Sequence, residues 1–125
     1  MVQIEKVNFF NSLIEGEACL ILKFMNMKTL REIGGILLQN SHDIINDHIS
    51  ARGNYLREID VTMGCNRLPK FLMNSLCSYS RLSFIRITIR KKMTLTLKDL
   101  IQLCSNKITK GLVVVLRLVW ASGEP

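Results

Sequence analysis

The sequence predicts an α/β fold: a right-handed solenoid of four to five repeats, with parallel strands on a concave face and helices on a convex face. Two observations support this prediction. The tetrad Leu30-Arg31-Glu32-Ile33 returns 26 residues later as Leu56-Arg57-Glu58-Ile59, and the same step reaches further apolar triplets in both directions. Between the triplets, apolar residues are spaced three and four apart, which is typical of amphipathic helices.

Each strand is predicted from a triplet whose apolar members are the first, fourth and sixth residues of a window. Strand side chains alternate between two faces, so these members point into the body and the residues between them face outward. A single strand cannot bury its apolar face alone, and neighbouring strands therefore stack in parallel, about 4.8 Å apart. The four windows at the constant step begin at Ile4, Leu30, Leu56 and Leu82.

Two places depart from the step. Gly35 stands where the second strand needs a buried residue, so we expect this strand to be weak. After Ile87, the best triplet is Val113-x-x-Leu116-x-Leu118, which lies 31 residues beyond the triplet of Leu82. We therefore predict a longer turn at 106–111. The same stretch also fits the turn and helix of a repeat in a different register.

The helices are predicted from the apolar residues between the strands. Pro69 suits a first helical turn, where its missing N–H is no loss. The helical sets occupy the segments 19–24, 44–49, 68–77 and 97–104.

The composition fits one small domain that covers residues 1–125. With 48% hydrophobic and 22% charged residues, the chain is not a disordered tail, a collagen or a coiled coil. Arg117 interrupts the best apolar run, 112–120, so no run approaches the roughly 18 residues of a membrane helix. No polar cap precedes or follows the repeats, and terminal repeats normally need one. We therefore expect a fragment or an uncapped array.

The 26-residue frame, with Leu76-Cys77 and Leu103-Cys104 closing predicted helices, resembles the ribonuclease-inhibitor-like leucine-rich-repeat proteins. The resemblance is closest to the F-box leucine-rich-repeat proteins and covers nearly the whole chain. It implies a non-enzymatic module that binds a protein partner on the concave face. The most specific version is substrate recognition for a ubiquitin ligase, with a ligase adaptor as a partner. The alternatives are a signalling or innate-immune receptor segment and a basic nucleic-acid-binding surface.

The strand frame also identifies the outward residues that a partner would contact. Phe84 and Arg86 form the expected centre, because aromatic residues and arginine are enriched at interface anchors. The outward charges predict a mixed-charge lattice between neighbouring strands, which on a merely solvated face would stabilise little. The predicted partner-binding residues are Arg31, Glu32, Arg57, Glu58, Asp60, Phe84 and Arg86.

The remaining charged and reactive residues carry weaker signals. The net charge is +7, and a basic run comprises Arg81, Arg86 and 90–92. This run lacks interleaved aromatic residues and a glycine-rich phosphate loop, which disfavours nucleic-acid binding. The four cysteines, at positions 19, 65, 77 and 104, and the two histidines, His42 and His48, lack metal-ligand spacing. We therefore expect buried thiols in the cytoplasm or nucleus, and no metal, cofactor or enzyme activity.

Overall fold

The computed structural model describes residues 3–38, 55–64, 70–89, 94–108 and 111–119 of the chain. Five strands and three helices lie within these residues. The predicted helical set at 44–49 and Pro69 lie outside them. In chain order, the elements are β1 (Lys6–Ile14), α1 (Glu15–Leu22), β2 (Glu32–Leu38), β3 (Glu58–Met63), α2 (Lys70–Ser78), β4 (Phe84–Ile89), α3 (Thr94–Ile108) and β5 (Val113–Leu118).

The five strands form one parallel sheet. Its order, β1-β2-β3-β4-β5, is the order of the strands along the chain. Parallel neighbours need a crossover connection, and the three helices lie in such connections. The predicted α/β class and the parallel arrangement of its strands are therefore confirmed.

The 26-residue step sets the register in the middle of the sheet. Glu32 of β2 pairs with Glu58 of β3, which in turn pairs with Phe84 of β4. The leucines that begin the three windows precede these residues by two positions, so they occupy equivalent places just before adjoining strands. All three are buried: Leu30, Leu56 and Leu82.

The core lies between one face of the sheet and the helices. It joins inward strand residues such as Ile59 and Ile87 to buried residues of every described helix. The helical contributions are Ala18 and Leu22 from α1, Phe71 and Leu72 from α2, and Leu100 and Cys104 from α3. The other side of the sheet, which we call the open face, carries Lys6, Asn8, Glu32, Gly34, Glu58, Asp60, Phe84 and Arg86.

The inward place that the 26-residue frame gives to Gly35 in the second strand is wrong. β2 is seven residues long, and its register against β3 shifts so that Ile36 pairs with Val61. Gly35 is the extra residue of a bulge, which leaves the alternation of the strand intact on either side. Ile36 is fully buried and fills the place that the 26-residue frame assigns to the glycine.

The predicted alignment of the last strand is also wrong. Val114 pairs with Ile85, which gives a step of 29 residues rather than 31. Val113 was expected to point inward, but it pairs with an outward residue of β4 and is 54% exposed. α3 continues to Ile108, into the segment predicted as a longer turn. The error is two residues, one full strand period, so Leu116 lies on the inward side in either register.

α1 is less buried than its sequence predicts. Cys19 and Leu22 are buried, whereas Leu20 is 59% exposed and Phe24, beyond the end of the helix, is 70% exposed. β1 is the first strand of the sheet, and no described element covers α1 on that side. An apolar surface results at this end of the sheet, formed by Ile4, Leu20, Ile21, Phe24 and Met25. None of the helices in the described part of the chain has the length and apolar character to cross a membrane.

Candidate functional site

β1 does not pair evenly with β2, because its backbone forms a bulge between Asn8 and Leu13. Four residues of β1, 9–12, stand opposite Gly35 alone. A Cβ atom at Gly35 would lie 2.3 Å from the backbone nitrogen of Phe10, so the backbone of β1 runs directly over this glycine. Gly35 also has a φ of 69°, in the left-handed region that glycine adopts without steric cost. Close approach and conformation therefore both require glycine here.

Side chains hold this bulge of β1 in place. Phe10 and Asn11 have positive φ values of 54° and 60°, and the Phe10 amide donates a hydrogen bond to Asn8 Oδ1 at 2.7 Å. The hydroxyl of Thr62, which is buried, donates to Asn11 Oδ1 at 3.1 Å, so the bulge reaches across β2 to β3. The Phe10 side chain consequently stands 80% exposed beside the open face.

A cleft of about 580 Å³ lies on the open face, next to the bulge. Gly34 lines it, and the Asn8 side chain lies against this glycine, with Nδ2 3.2 Å from the position that a Cβ atom would take. Two aromatic residues, Phe10 and Phe84, contribute to its walls. The charged residues that line it are Lys6, Glu32, Glu58, Asp60 and Arg86.

The cleft brings together five of the seven residues predicted to bind a partner. These five are Glu32, Glu58, Asp60, Phe84 and Arg86. The other two, Arg31 and Arg57, line a second depression farther toward the starts of the strands, together with Glu5 and Ser83. The strand frame therefore places neighbouring outward side chains correctly, but they belong to two adjoining depressions.

The predicted mixed-charge lattice is not formed by the described residues. Glu32 pairs with Lys6 of the neighbouring strand, with 3.0 Å between Oε2 and Nζ. The Arg31 guanidinium instead donates a hydrogen bond to the backbone carbonyl of Lys28, and its Cζ lies 5.8 Å from the ring centre of Tyr55. Arg31 therefore does not neutralise the glutamates of the open face.

Glu32 and Glu58 are carboxyl groups on adjacent strands that share a hydrogen bond. This bond raises the pKa of Glu58 and, with a second hydrogen bond from Lys6, lowers the pKa of Glu32. The hydrogen bond to Glu32 in turn raises the pKa of the Lys6 ammonium group. Lys6 thus forms its ion pair with Glu32, whereas Glu58 interacts mainly with a second carboxyl group.

The opposite wall of the cleft carries the other ion pair among the described residues. Arg86 Nη1 lies 3.5 Å from Asp60 Oδ2, and the Arg86 Cζ lies 5.6 Å from the ring centre of Phe84. Arg81, another member of the basic run, lies over the ring of Tyr55 at 5.1 Å. The described arginines of this run are therefore engaged with an acid and with aromatic rings. Residues 90–92 lie outside the described residues.

Cys19 and Cys104 are buried thiols. Burial raises the pKa of Cys104, which keeps its thiol protonated and weakly nucleophilic at neutral pH. The described residues contain no group of three histidine, cysteine, aspartate or glutamate side chains arranged to hold a metal ion. Cys65, the side chain of Cys77 and both histidines lie outside the described residues.

Phe10 is one of the cleft residues that are absent from the predicted partner-binding set, as are Lys6 and Asn8. The 26-residue frame treats residues 9–12 as an ordinary strand continuation and gives Phe10 no special place. The available signal is the pair Gly34-Gly35, because glycine within a strand often marks the close approach of another backbone. Nothing in the sequence identifies β1 as the segment that approaches.

No protein-family model matches the chain, and no curated protein or solved structure is significantly similar to it.

Proposed function

We propose that the chain is a non-enzymatic recognition module that binds a protein partner on the open face of its sheet. In this proposal the sheet is the concave side of a right-handed leucine-rich-repeat solenoid and the helices form its convex side. The constant step between Leu30, Leu56 and Leu82 supports this repeat architecture, as does the all-parallel sheet in chain order.

The observation that carries the binding proposal is the cleft beside the bulge. Phe10 is 80% exposed at one side, and Phe84 with Arg86 lies at the other. Exposed aromatic side chains and arginine around a concave surface are the residues that most often anchor protein interfaces. Ion pairs on a solvated face stabilise the fold by only about 0–1 kcal/mol each, so stability alone does not account for this arrangement.

The ubiquitin-ligase role and the cellular location are separate parts of this proposal. Co-precipitation of the chain with a ubiquitin-ligase adaptor tests the ligase role that the resemblance implies, and its absence favours the receptor alternative. The buried thiols of Cys19 and Cys104 fit a reducing compartment, so we propose the cytoplasm or nucleus as the location.

Site-specific photo-crosslinking tests the binding proposal. A photoreactive phenylalanine analogue replaces Phe84 on the open face, and in a matched control it replaces Met73, which is 42% exposed on α2. We expect discrete crosslinked partners from position 84 and not from position 73. Partners identified at position 84 are then tested for binding to the Phe84→Ala, Arg86→Ala double variant, which we expect to lose at least about tenfold in affinity.

Two results would contradict the proposal. One is an identical crosslinking pattern from positions 84 and 73. The other is full binding of every identified partner by the double variant, provided that its thermal unfolding remains like that of the unmodified chain.

A further inference from the structure

The cleft is locally acidic although the chain as a whole is basic. Three carboxylate side chains and two cationic side chains line it, whereas the complete chain has a net charge of +7. Lys6 forms a close ion pair with Glu32, at 3.0 Å, whereas Arg86 and Asp60 form a longer one, at 3.5 Å, with both side chains partly exposed. Within the described residues, no cation forms an ion pair with Glu58, whose nearest acidic neighbour is Glu32. β3, the central strand of the cleft, therefore carries one carboxylate, Glu58, that has no ion-pair partner among the described residues.

The surroundings of this acidic position suit a cation with an apolar stem. Glu58 and Asp60 lie two residues apart on β3 and so project on the same face of the strand. Gly34 lies beside Asp60, with 3.7 Å between the Cβ of Asp60 and an ideal Cβ position on the glycine. At the edge of the cleft, the ring of Phe10 is 80% exposed and can contact a partner.

We propose that the cleft takes a lysine or arginine side chain of the protein partner, with its charged group at Glu58 and Asp60 and an adjacent apolar residue against Phe10. This inference rests on the proposed function and specifies the chemistry of the partner. A cation placed between two carboxylates relieves their repulsion, and the apolar stem of lysine or arginine packs on neighbouring apolar surface. Acidic or uncharged segments lack this gain and bind more weakly.

Selection from a random library of 12-residue peptides on the full chain tests this chemistry. We expect the selected peptides to share a lysine or arginine beside a large apolar residue. Replacing that basic residue with glutamine in a synthetic peptide should weaken binding at least about tenfold, and glutamate should abolish it. This comparison needs no protein variant and is therefore independent of any folding defect.

The protein side is tested with matched charge removals. The Glu58→Gln, Asp60→Asn double variant should lose at least about tenfold in affinity for the basic peptide. The Glu17→Gln, Asp99→Asn variant removes the same charge from exposed positions on α1 and α3 and should bind normally. Binding should also weaken as salt rises, because screening reduces the attraction.

The outcomes separate this inference from the proposed function. Peptides that depend on Phe84 but show no basic preference and tolerate the Glu58→Gln, Asp60→Asn change would overturn the inference and leave open-face binding intact. Peptides unaffected by any change on the open face would overturn both. A selection that enriches no peptide above background would also overturn the inference, since it predicts a recognisable short segment.

Discussion

The β3–β4 and β1–β2 pairs are built on the same repeated residues but differ in regularity. β3 and β4 pair through six consecutive residues without a register shift. β1 and β2 pair in two blocks, separated by four residues of β1 opposite Gly35. Both pairs pack apolar residues of the 26-residue frame against the core, although Ile4 and Val7 of the first window are only partly buried.

The difference shows how a repeated scaffold acquires an individual surface. The regular pair presents its outward side chains in rows, which the sequence frame predicts. The irregular pair forms a bulge at residues 9–12, which keeps Phe9 in the core and sets the exposed Phe10 beside the cleft. Local departures from the repeat therefore shape the site, whereas the repeat supplies the sheet beneath it.

The largest expected effect comes from substituting the glycine under the bulge. Gly35→Ala should lower the free energy of unfolding by about 3 kcal/mol, because the new methyl group collides with the Phe10 backbone and strains a positive φ. The control, Gly111→Ala, also has a positive φ, of 87°, but has open space around it, so it should cost only about 1–2 kcal/mol. Urea unfolding of both variants measures the difference. Equal losses would show that β1 does not press on Gly35.

An energetically unfavourable group lies close to the regular β3–β4 pair, at Tyr79 between α2 and β4. Its hydroxyl is buried without a hydrogen-bond partner among the described residues, and burial raises its pKa to about 12. Tyr79→Phe should therefore stabilise the chain by about 1 kcal/mol, since the ring keeps its edge contact with Phe71 while the unsatisfied hydroxyl is removed. A thermal unfolding temperature that falls on this change would contradict the expectation. Tyr79→Leu, which also removes the ring, should destabilise.

Two threonines at one register position compare a side chain that contacts the bulge of β1 with one that does not. Thr62 of β3 pairs with Thr88 of β4, but only the Thr62 hydroxyl bonds to the bulge, among the described residues. Thr62→Val should cost about 0.5–1 kcal/mol, whereas Thr88→Val should change the unfolding free energy by less than about 0.5 kcal/mol. Denaturant midpoints of the two variants check this. A larger loss at Thr88 would show that the hydrogen bond from Thr62 to the bulge is not the important one at this register position.

The smallest expected effect concerns Glu58 of β3, whose carboxyl group interacts with Glu32 of β2. Its pKa is raised in the folded chain, so the folded state binds this proton more tightly than the unfolded state does. The resulting stabilisation is present below the unfolded pKa, near 4.3, and is lost as pH rises through the folded pKa. Glu58→Gln removes this loss and should stabilise by at most about 0.5 kcal/mol at pH 7, because the group is exposed.

Unfolding in urea at pH 4 and pH 7 tests the sign of this effect. The gain from Glu58→Gln should be present at pH 7 and shrink toward pH 4. Glu32→Gln is the opposite case, because its carboxyl group has a lowered pKa and stabilises above its unfolded pKa. A clear loss of stability at pH 7 in the Glu58→Gln variant would mean that this carboxylate interacts favourably with a cation already in the chain.

Sequence prediction succeeds here where apolar periodicity determines the structure. Burial of residues such as Leu56 and Ile59 fixes the inward face, and a strand period of two then assigns Glu58 and Asp60 to the outward face. This is why five of the residues that line the cleft could be predicted. The bulge could not, since its left-handed residues are held by contacts such as the Thr62–Asn11 hydrogen bond, which spans 51 positions.

The bulge over Gly35 also shows what a fully regular version of this sheet would lose. Shortening 9–12 to one residue and giving position 35 a valine would make every strand alike, and the sheet would gain regular ladder bonds. Such a protein would have a more regular sheet, but it would lack the bulge beside the cleft and so offer a binding partner a flatter surface. Irregularity in one strand is what gives this surface its relief.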